Sequence, residues 1–224
     1  MMEQSFFAEW LNETFYAFDS AILGFYHNLA EWGGAVFTPL MKFISLLGED
    51  GILLVIFALC LMLFAKTRKN GVCMLGALCF GVLFTNIILK NAICRMRPFE
   101  LYETFEGFWQ FVGAEHAGGH SFPSGHTTAA TAAMMALVFT YGKKALSFAV
   151  PFIVLMGASR NYLMVHYPTD VIAAMIVGTV AALCSYAVTI AIFKLCKRYE
   201  NKKFFHFVIY FDLKNAILKS KKSS

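Results

Sequence analysis

The chain has 224 residues, of which 58% are hydrophobic and only 15% charged, with 24 Phe, 11 Met and a mean hydropathy of +0.61. That composition excludes a water-soluble domain and a disordered chain, and the length suits one domain with short appendages. The formal net charge of +5 raises the question of nucleic acid, but the basic residues sit in short segments between apolar runs, so no nucleic-acid partner is expected.

Residues 1–48 contain many aromatics and leucines, interrupted by Glu3, Glu9, Glu13, Asp19, Glu31 and Lys42. No uninterrupted apolar core of spanning length occurs here, and no signal-peptide pattern. Amphipathic helices resting in the membrane interface are expected. The rival reading is a poorly apolar span over residues 22–46.

Five apolar runs follow, at about 51–65, 71–89, 127–141, 145–158 and 169–193. They are continuous rather than alternating, which selects helices over strands, and they approach the roughly 20 residues a membrane crossing needs. The expected fold class is therefore all-α, a polytopic transmembrane bundle of five to six helices with interfacial helices at its N-terminus. The membrane-embedded core is expected over residues 49–198 and a basic cytoplasmic tail over 199–224.

Lys66, Arg68 and Lys69 follow the first run, Lys143 and Lys144 the third, and Lys194, Lys197, Arg198, Lys202 and Lys203 the fifth. These are alternate loops on one side of the membrane, which the positive-inside rule makes cytoplasmic. Lys90, Arg95, Arg97 and Arg160 lie on the other side, against that bias, and cations retained there invite a functional explanation. Arg95 is read as a snorkelling anchor. Residues 99–122 form one long external loop, rich in aromatics and acids, of the kind that makes a lid or substrate wall. The six cysteines follow no metal-ligand or redox spacing.

Three stretches carry the chemistry. In Ser159 to Asp170, His166 and Asp170 are four apart, and a carboxylate on one imidazole nitrogen leaves the other free to attack phosphorus. Pro168 suits the first turn of the following helix. In Pro123-Ser124-Gly125-His126, Ser124 is an N-cap candidate, and the amides after it face an anion with the helix dipole behind them. Gly125 permits close backbone approach, and His126 is positioned to protonate a departing oxygen. Lys90 and Arg97, seven residues apart, offer a point charge and a planar fork to phosphate oxygens. With Arg160 they could neutralise a pentacovalent transition state. All three stretches fall at helix ends on the same expected side.

These stretches, K-x6-R-P, P-S-G-H and S-R-x5-H-x3-D, resemble the signature of the type 2 phosphatidic acid phosphatase superfamily over about residues 85–175, with every signature position filled. The resemblance implies a six-helix membrane core in which Lys90, Arg97, Arg160, Ser124 and Gly125 bind phosphate. It implies His126 as acid, His166 as nucleophile, Asp170 as its orienting partner, and no metal or cofactor. His27, His116, His120 and His206 match no signature position. The function expected is an integral-membrane lipid phosphatase at the extracytoplasmic face of a bacterial plasma membrane. Its implied partners are membrane lipids and a lipid phosphate substrate, undecaprenyl diphosphate by preference. Phosphatidylglycerophosphate and phosphatidate are alternatives, and a lipid phosphotransferase or a non-catalytic lipid-binding protein are readings of other classes.

Overall fold

The computed structural model describes residues 4–213, so residues 214–224 of the expected basic tail lie outside the described part. Every regular element among the described residues is helical. The helices are α1 (Phe6–Leu47), α2 (Ile52–Met62), α3 (Arg68–Val82), α4 (Lys90–Ile93), α5 (Pro98–Leu101), α6 (Glu103–Phe111), α7 (Gly125–Tyr141), α8 (Leu146–Tyr162), α9 (Pro168–Arg198) and α10 (Lys203–Tyr210). Three helical stretches, Phe6–Met62, Arg68–Leu101 and Pro168–Arg198, are long and apolar enough to cross a membrane. With α7 and α8, 17 residues each, they form a transmembrane helical bundle.

The acidic first segment folds as one long helix docked along α8. Ser5 caps its start, accepting from the Ala8 amide at 3.2 Å, and the helix bends at Gly33, whose backbone leaves helical geometry (φ −144°, ψ 27°). A tight turn over Glu49–Gly51, with Gly51 in the left-handed region at φ 67°, reverses the chain into α2. Glycine meets that conformation without steric cost.

α7 is the central helix, packed by α9, α3 and α8. Its buried residues are mostly small, Ala130, Ala132, Ala133, Ala136 and three threonines, beside Met134, Leu137 and Val138, and small residues let helix backbones approach closely where hydrophobic driving force is weak. Gly178 of α9 completes the contact: a Cβ there would lie 2.7 Å from Thr131 Cβ and 2.8 Å from Thr128 O. Between α2 and α3, a Cβ on Gly71 would sit 2.4 Å from Ala58 O. Many large aliphatic and aromatic side chains point outward. Ile56 and Phe57, Val154 and Leu155, and Ile176, Leu183 and Ile192 are all exposed, giving the apolar outer belt a bilayer requires.

The two ends of the bundle differ. One carries the basic turns around Arg68 and Lys143 together with α10. The other gathers the start of α7, the ends of α1, α4 and α8, and the start of α9.

Candidate active site

The first motif is held by a helical rod that changes pitch. α3 continues through a π-helical stretch, Leu83–Leu89, into α4, and Cys94 ends the rod in the left-handed region (φ 54°, ψ 38°). Such wide turns rotate the residues beyond them relative to a regular helix and recur at functional sites. Lys90 follows immediately. Arg97 is the N-cap of α5, with Pro98 at the first helical position and its own N–H donating to Glu100 Oε2 at 2.8 Å. Its guanidinium donates to Val165 O and Gly118 O, each at 2.7 Å, and to Gly119 O at 3.1 Å. Three donated bonds to carbonyls fix the plane of the fork.

The second motif opens α7 behind a cis Phe122–Pro123 bond. Ser124 Oγ accepts from Thr127 N at 3.4 Å and from Thr127 Oγ1 at 3.1 Å, so the serine caps the helix as its position suggests. A Cβ on Gly125 would lie 3.9 Å from Lys90 Nζ; the ammonium therefore faces the first turn of α7. On the far side, a Cβ on Gly48 would come within 3.3 Å of His126 Cδ2, so the end of α1 packs directly on that imidazole.

The third motif spans the end of α8 and the start of α9. His166 is 2% exposed and Asp170 0%. Asp170 is at the third position of α9 and accepts from Tyr167 N at 2.9 Å, closing a capping box. Its Oδ2 lies 3.5 Å from His166 Nδ1, and Ser121 bridges the two, donating to Asp170 Oδ2 with its hydroxyl 3.4 Å from the same imidazole nitrogen. The other nitrogen, Nε2, lies 3.4 Å from Arg97 Nη1. Burial is the largest influence on this imidazole and, with the Arg97 and Arg160 charges, holds its pKa well below 6.5 against the pull of Asp170. The ring is thus neutral, with a lone pair available on one nitrogen.

Arg160, at the end of α8, donates through Nη1 to Ser45 Oγ and to Glu115 Oε1, the latter at 2.8 Å. Its Nε is buried without a partner. Lys90, Arg97, Gly125, His126, Arg160 and His166 all line one cavity of about 770 Å³. Ser124 and Asp170 do not line it but adjoin its lining residues, joined by Ser124 N donating to Asp170 O at 3.3 Å. The eight residues singled out by sequence therefore converge, six on the cavity and two in support.

Sequence reasoning passed over several residues that the structure brings here. Ser45 and Glu115 occupy Arg160; Ser121 joins Asp170 to His166. His116, given no role above, lines the cavity wall, and residues 115–118 of the long loop form part of that wall. Arg95, read as a snorkelling anchor, is fully buried. It donates to Asp170 Oδ1 at 2.6 Å and to Asp19 Oδ2 at 3.0 Å. Asp19 carried a signal: it falls on the buried stripe Ala8, Leu11, Asn12, Asp19, Leu23 and Ala30 of α1, where an acid needs a partner.

A neutral imidazole beside a cluster of cations, enclosed by membrane helices, is suited to phosphoryl transfer. The known proteins this chain resembles agree with that class. A family model described as the PAP2 superfamily matches residues 70–194. An undecaprenyl-diphosphatase from Sulfolobus acidocaldarius is 27% identical over 145 residues, covering 65% of this chain and 67% of that protein. A lipid A 1-phosphatase from Rhizobium etli is 35% identical over 120 residues, 51% of this chain, and the match spans only 50% of that relative. A crystal structure described as the first transmembrane PAP2 type phosphatidylglycerolphosphate phosphatase, from Bacillus subtilis, superposes with a TM-score of 0.61 at 25% identity, covering 81% of this chain and 92% of that one. The chain belongs to the PAP2 superfamily. It is a membrane phosphatase.

Proposed function

We propose that this phosphatase hydrolyses a lipid phosphate at the extracytoplasmic face of the membrane through a phosphohistidine, with undecaprenyl diphosphate as its preferred substrate. The observation that carries the reading is the approach of His166 Nε2 to Arg97 at 3.4 Å on the wall of a cavity shared with Lys90, Arg160 and His126. A phosphoryl group bound there meets a nucleophile, three cations and the first amides of α7 at once.

In the first step Nε2 attacks phosphorus and the bond to the bridging oxygen breaks. His126 gives that oxygen its proton, and the lipid leaves as an alcohol, or as a monophosphate when the substrate is a diphosphate. The phosphate's negative charge offsets the cations around His126, so the loaded cavity is the state in which that imidazole carries the proton. In the second step His126 takes a proton from water, whose oxygen attacks phosphorus; the P–N bond breaks and inorganic phosphate departs. Asp170 and Ser121 hold the His166 Nδ1 side throughout.

Two features support the membrane side and the lipid. The cavity is at the opposite end of the bundle from the basic turns, which the positive-inside rule assigns to the cytoplasm. The apolar belt around the bundle lets a lipid tail stay in the bilayer while its head group enters. The substrate preference follows the likeness to the Sulfolobus protein, and the Rhizobium and Bacillus relatives make lipid A and phosphatidylglycerophosphate the competitors.

The test uses detergent-purified protein, measuring inorganic phosphate released from undecaprenyl diphosphate, phosphatidylglycerophosphate, phosphatidate and lipid A, with and without chelator. The expected result is acceptor-independent release, unaffected by chelator and fastest on the undecaprenyl substrate. Loss of the phosphoryl group from the lipid only when an alcohol is added, with a new phosphate ester of that alcohol and no inorganic phosphate, would instead make the protein a phosphotransferase, and binding without turnover would leave it a lipid-binding protein.

A further inference from the structure

The catalytic reading above leaves a buried ionic cluster unused. Arg95 is 0% exposed and directs every donor group to a partner. Nε donates to Asn12 Oδ1 at 2.8 Å, Nη1 to Thr169 Oγ1 at 2.8 Å and Asp170 Oδ1 at 2.6 Å, and Nη2 to Asp19 Oδ2 at 3.0 Å. Its guanidinium lies 3.8 Å from the centre of the Tyr167 ring. Asp19 in turn accepts from Thr169 N at 2.9 Å and from Thr169 Oγ1 at 2.8 Å. The arginine also acts through its backbone, because Arg95 O accepts from Ser121 N at 2.7 Å, and Ser121 is the residue that bridges Asp170 to His166.

We propose that Arg95 and Asp19 are positioning residues for the His166–Asp170 pair, and that the N-terminal helix α1 is thereby a working part of the phosphatase site. Neither touches the cavity. Arg95 fixes one oxygen of Asp170 through its side chain and the serine against the other oxygen through its main chain. Asp19 holds Arg95 and the first turn of α9 in place.

The electrostatics favour this over plain packing. Buried ion pairs seldom stabilise a fold better than apolar residues of the same size, whereas a carboxylate behind an imidazole needs a fixed direction and a fixed charge. The Asp19–Arg95–Asp170 cluster carries a net charge of −1. Arg97 and Arg160 are the cations that act on His166 directly, Ser121 meets its Nδ1, and the cavity it lines also holds Lys42, Lys90, His116 and His126 with the acids Glu49, Asp50 and Glu115. Against that cationic front, the single negative charge behind the ring supports the imidazolium-like charge that develops when Nε2 bonds to phosphorus.

The proposal rests on His166 being the nucleophile, and its test separates the two ideas. The full chain in detergent is assayed across pH as wild type, Asp19→Asn, Arg95→Met and Arg95→Lys. Asp19→Asn and Arg95→Met should each lower kcat about 10- to 100-fold while KM changes little, as for other residues that orient an active group. Asp19→Asn removes a negative charge, so the acid limb should move to lower pH; Arg95→Met removes a positive one and should move it higher. Arg95→Lys should recover part of the rate. The His166 imidazole, followed by NMR with labelled histidine, should titrate in the same opposed directions, a measurement independent of turnover. Unchanged kcat, or a loss of thermal stability with an unmoved titration, would reduce the cluster to a structural one. A wild type inactive on every lipid phosphate would overturn the catalytic reading instead, while the titration still decided this one. If Arg95→Met does not fold, the near-isosteric Asp19→Asn carries the test alone.

Discussion

Arg68, at the basic end of the bundle, and Arg97, at the site end, are both buried and both satisfied largely by carbonyls. Arg68 donates to Met62 O, Val208 O, Ile209 O and Phe211 O, tying the α2–α3 turn to the end of α10. All three of its nitrogens are engaged by main-chain oxygens, and it lies away from the cavity. Arg97 is held as firmly by Val165, Gly118 and Gly119, yet it lines the cavity with Nη1 near His166. Arg160, its neighbour across the cavity, keeps a donor with no partner at all. Burial of arginine does not by itself mark function; Arg97 and Arg160 differ from Arg68 in that both line the cavity.

The sharpest way to break this comparison is at the residue the cations surround. His166→Ala should lower kcat about 10⁴-fold or more, by analogy with the loss of a nucleophile elsewhere, and abolish a trapped phosphoenzyme in rapid-quench experiments. The pH sign follows from the imidazole. Its folded value is held below 6.5 by burial, so Nε2 stays unprotonated at pH 6.5, and phosphoenzyme formation should fail only as pH drops through that lowered value. A His166 resonance already half-protonated at pH 6.5 would contradict the burial argument.

Next in size is the proposed phosphate clamp. Arg160→Met should lower kcat about 10²- to 10³-fold, the range found for removal of one transition-state donor. Arg160→Lys should restore little, because a point charge cannot reproduce the fork. A wild-type rate in Arg160→Met would place the phosphate elsewhere in the cavity.

A smaller effect is expected from Glu115, whose carboxylate sits on Arg160 at 2.8 Å, where a phosphate oxygen would otherwise bind. On the proposed reading of Arg160 as a phosphate ligand, substrate displaces that carboxylate. Glu115→Gln should lower KM a few-fold, since a partly exposed ion pair is worth up to about 1 kcal/mol, with little change in kcat. A raised KM would mean that Glu115 orients Arg160 rather than competing for it.

Much of this site was legible before the fold was known, and the reason is local. Lys90 and Arg97, Ser124 to His126, and His166 with Asp170 each lie within a single helix end, where spacing alone fixes which groups can face together. What the sequence could not provide was contact between segments. Asp19 and Arg95 are 76 positions apart, and Ser45 meets Arg160 across 115. The first 48 residues hid most, because their acids read as interfacial polarity. One of them is a core residue, on a stripe that only the docking of α1 gives a partner. Gly33 and Gly48 are similarly silent in sequence: the bend at one and the close approach of the other to His126 depend on where α8 and α7 lie.

The smallest effect on activity should come from the other member of the opening comparison. Arg68→Met removes the donor that holds the half-buried carbonyls at the end of α10, and a hydrogen bond to a charged group contributes about 1.5–3 kcal/mol, less where water can replace it. Thermal unfolding in detergent should therefore occur at a lower temperature, and the α2–α3 turn should become easier to cleave with protease. Phosphate release per folded molecule should stay within about two-fold of wild type, because no group in the cavity loses a partner and the effect is confined to stability. If Arg68→Met instead slowed turnover as Arg160→Met does, the two ends of the bundle would be coupled through α3 and its π-helical stretch, and the division between a structural and a chemical arginine would fail.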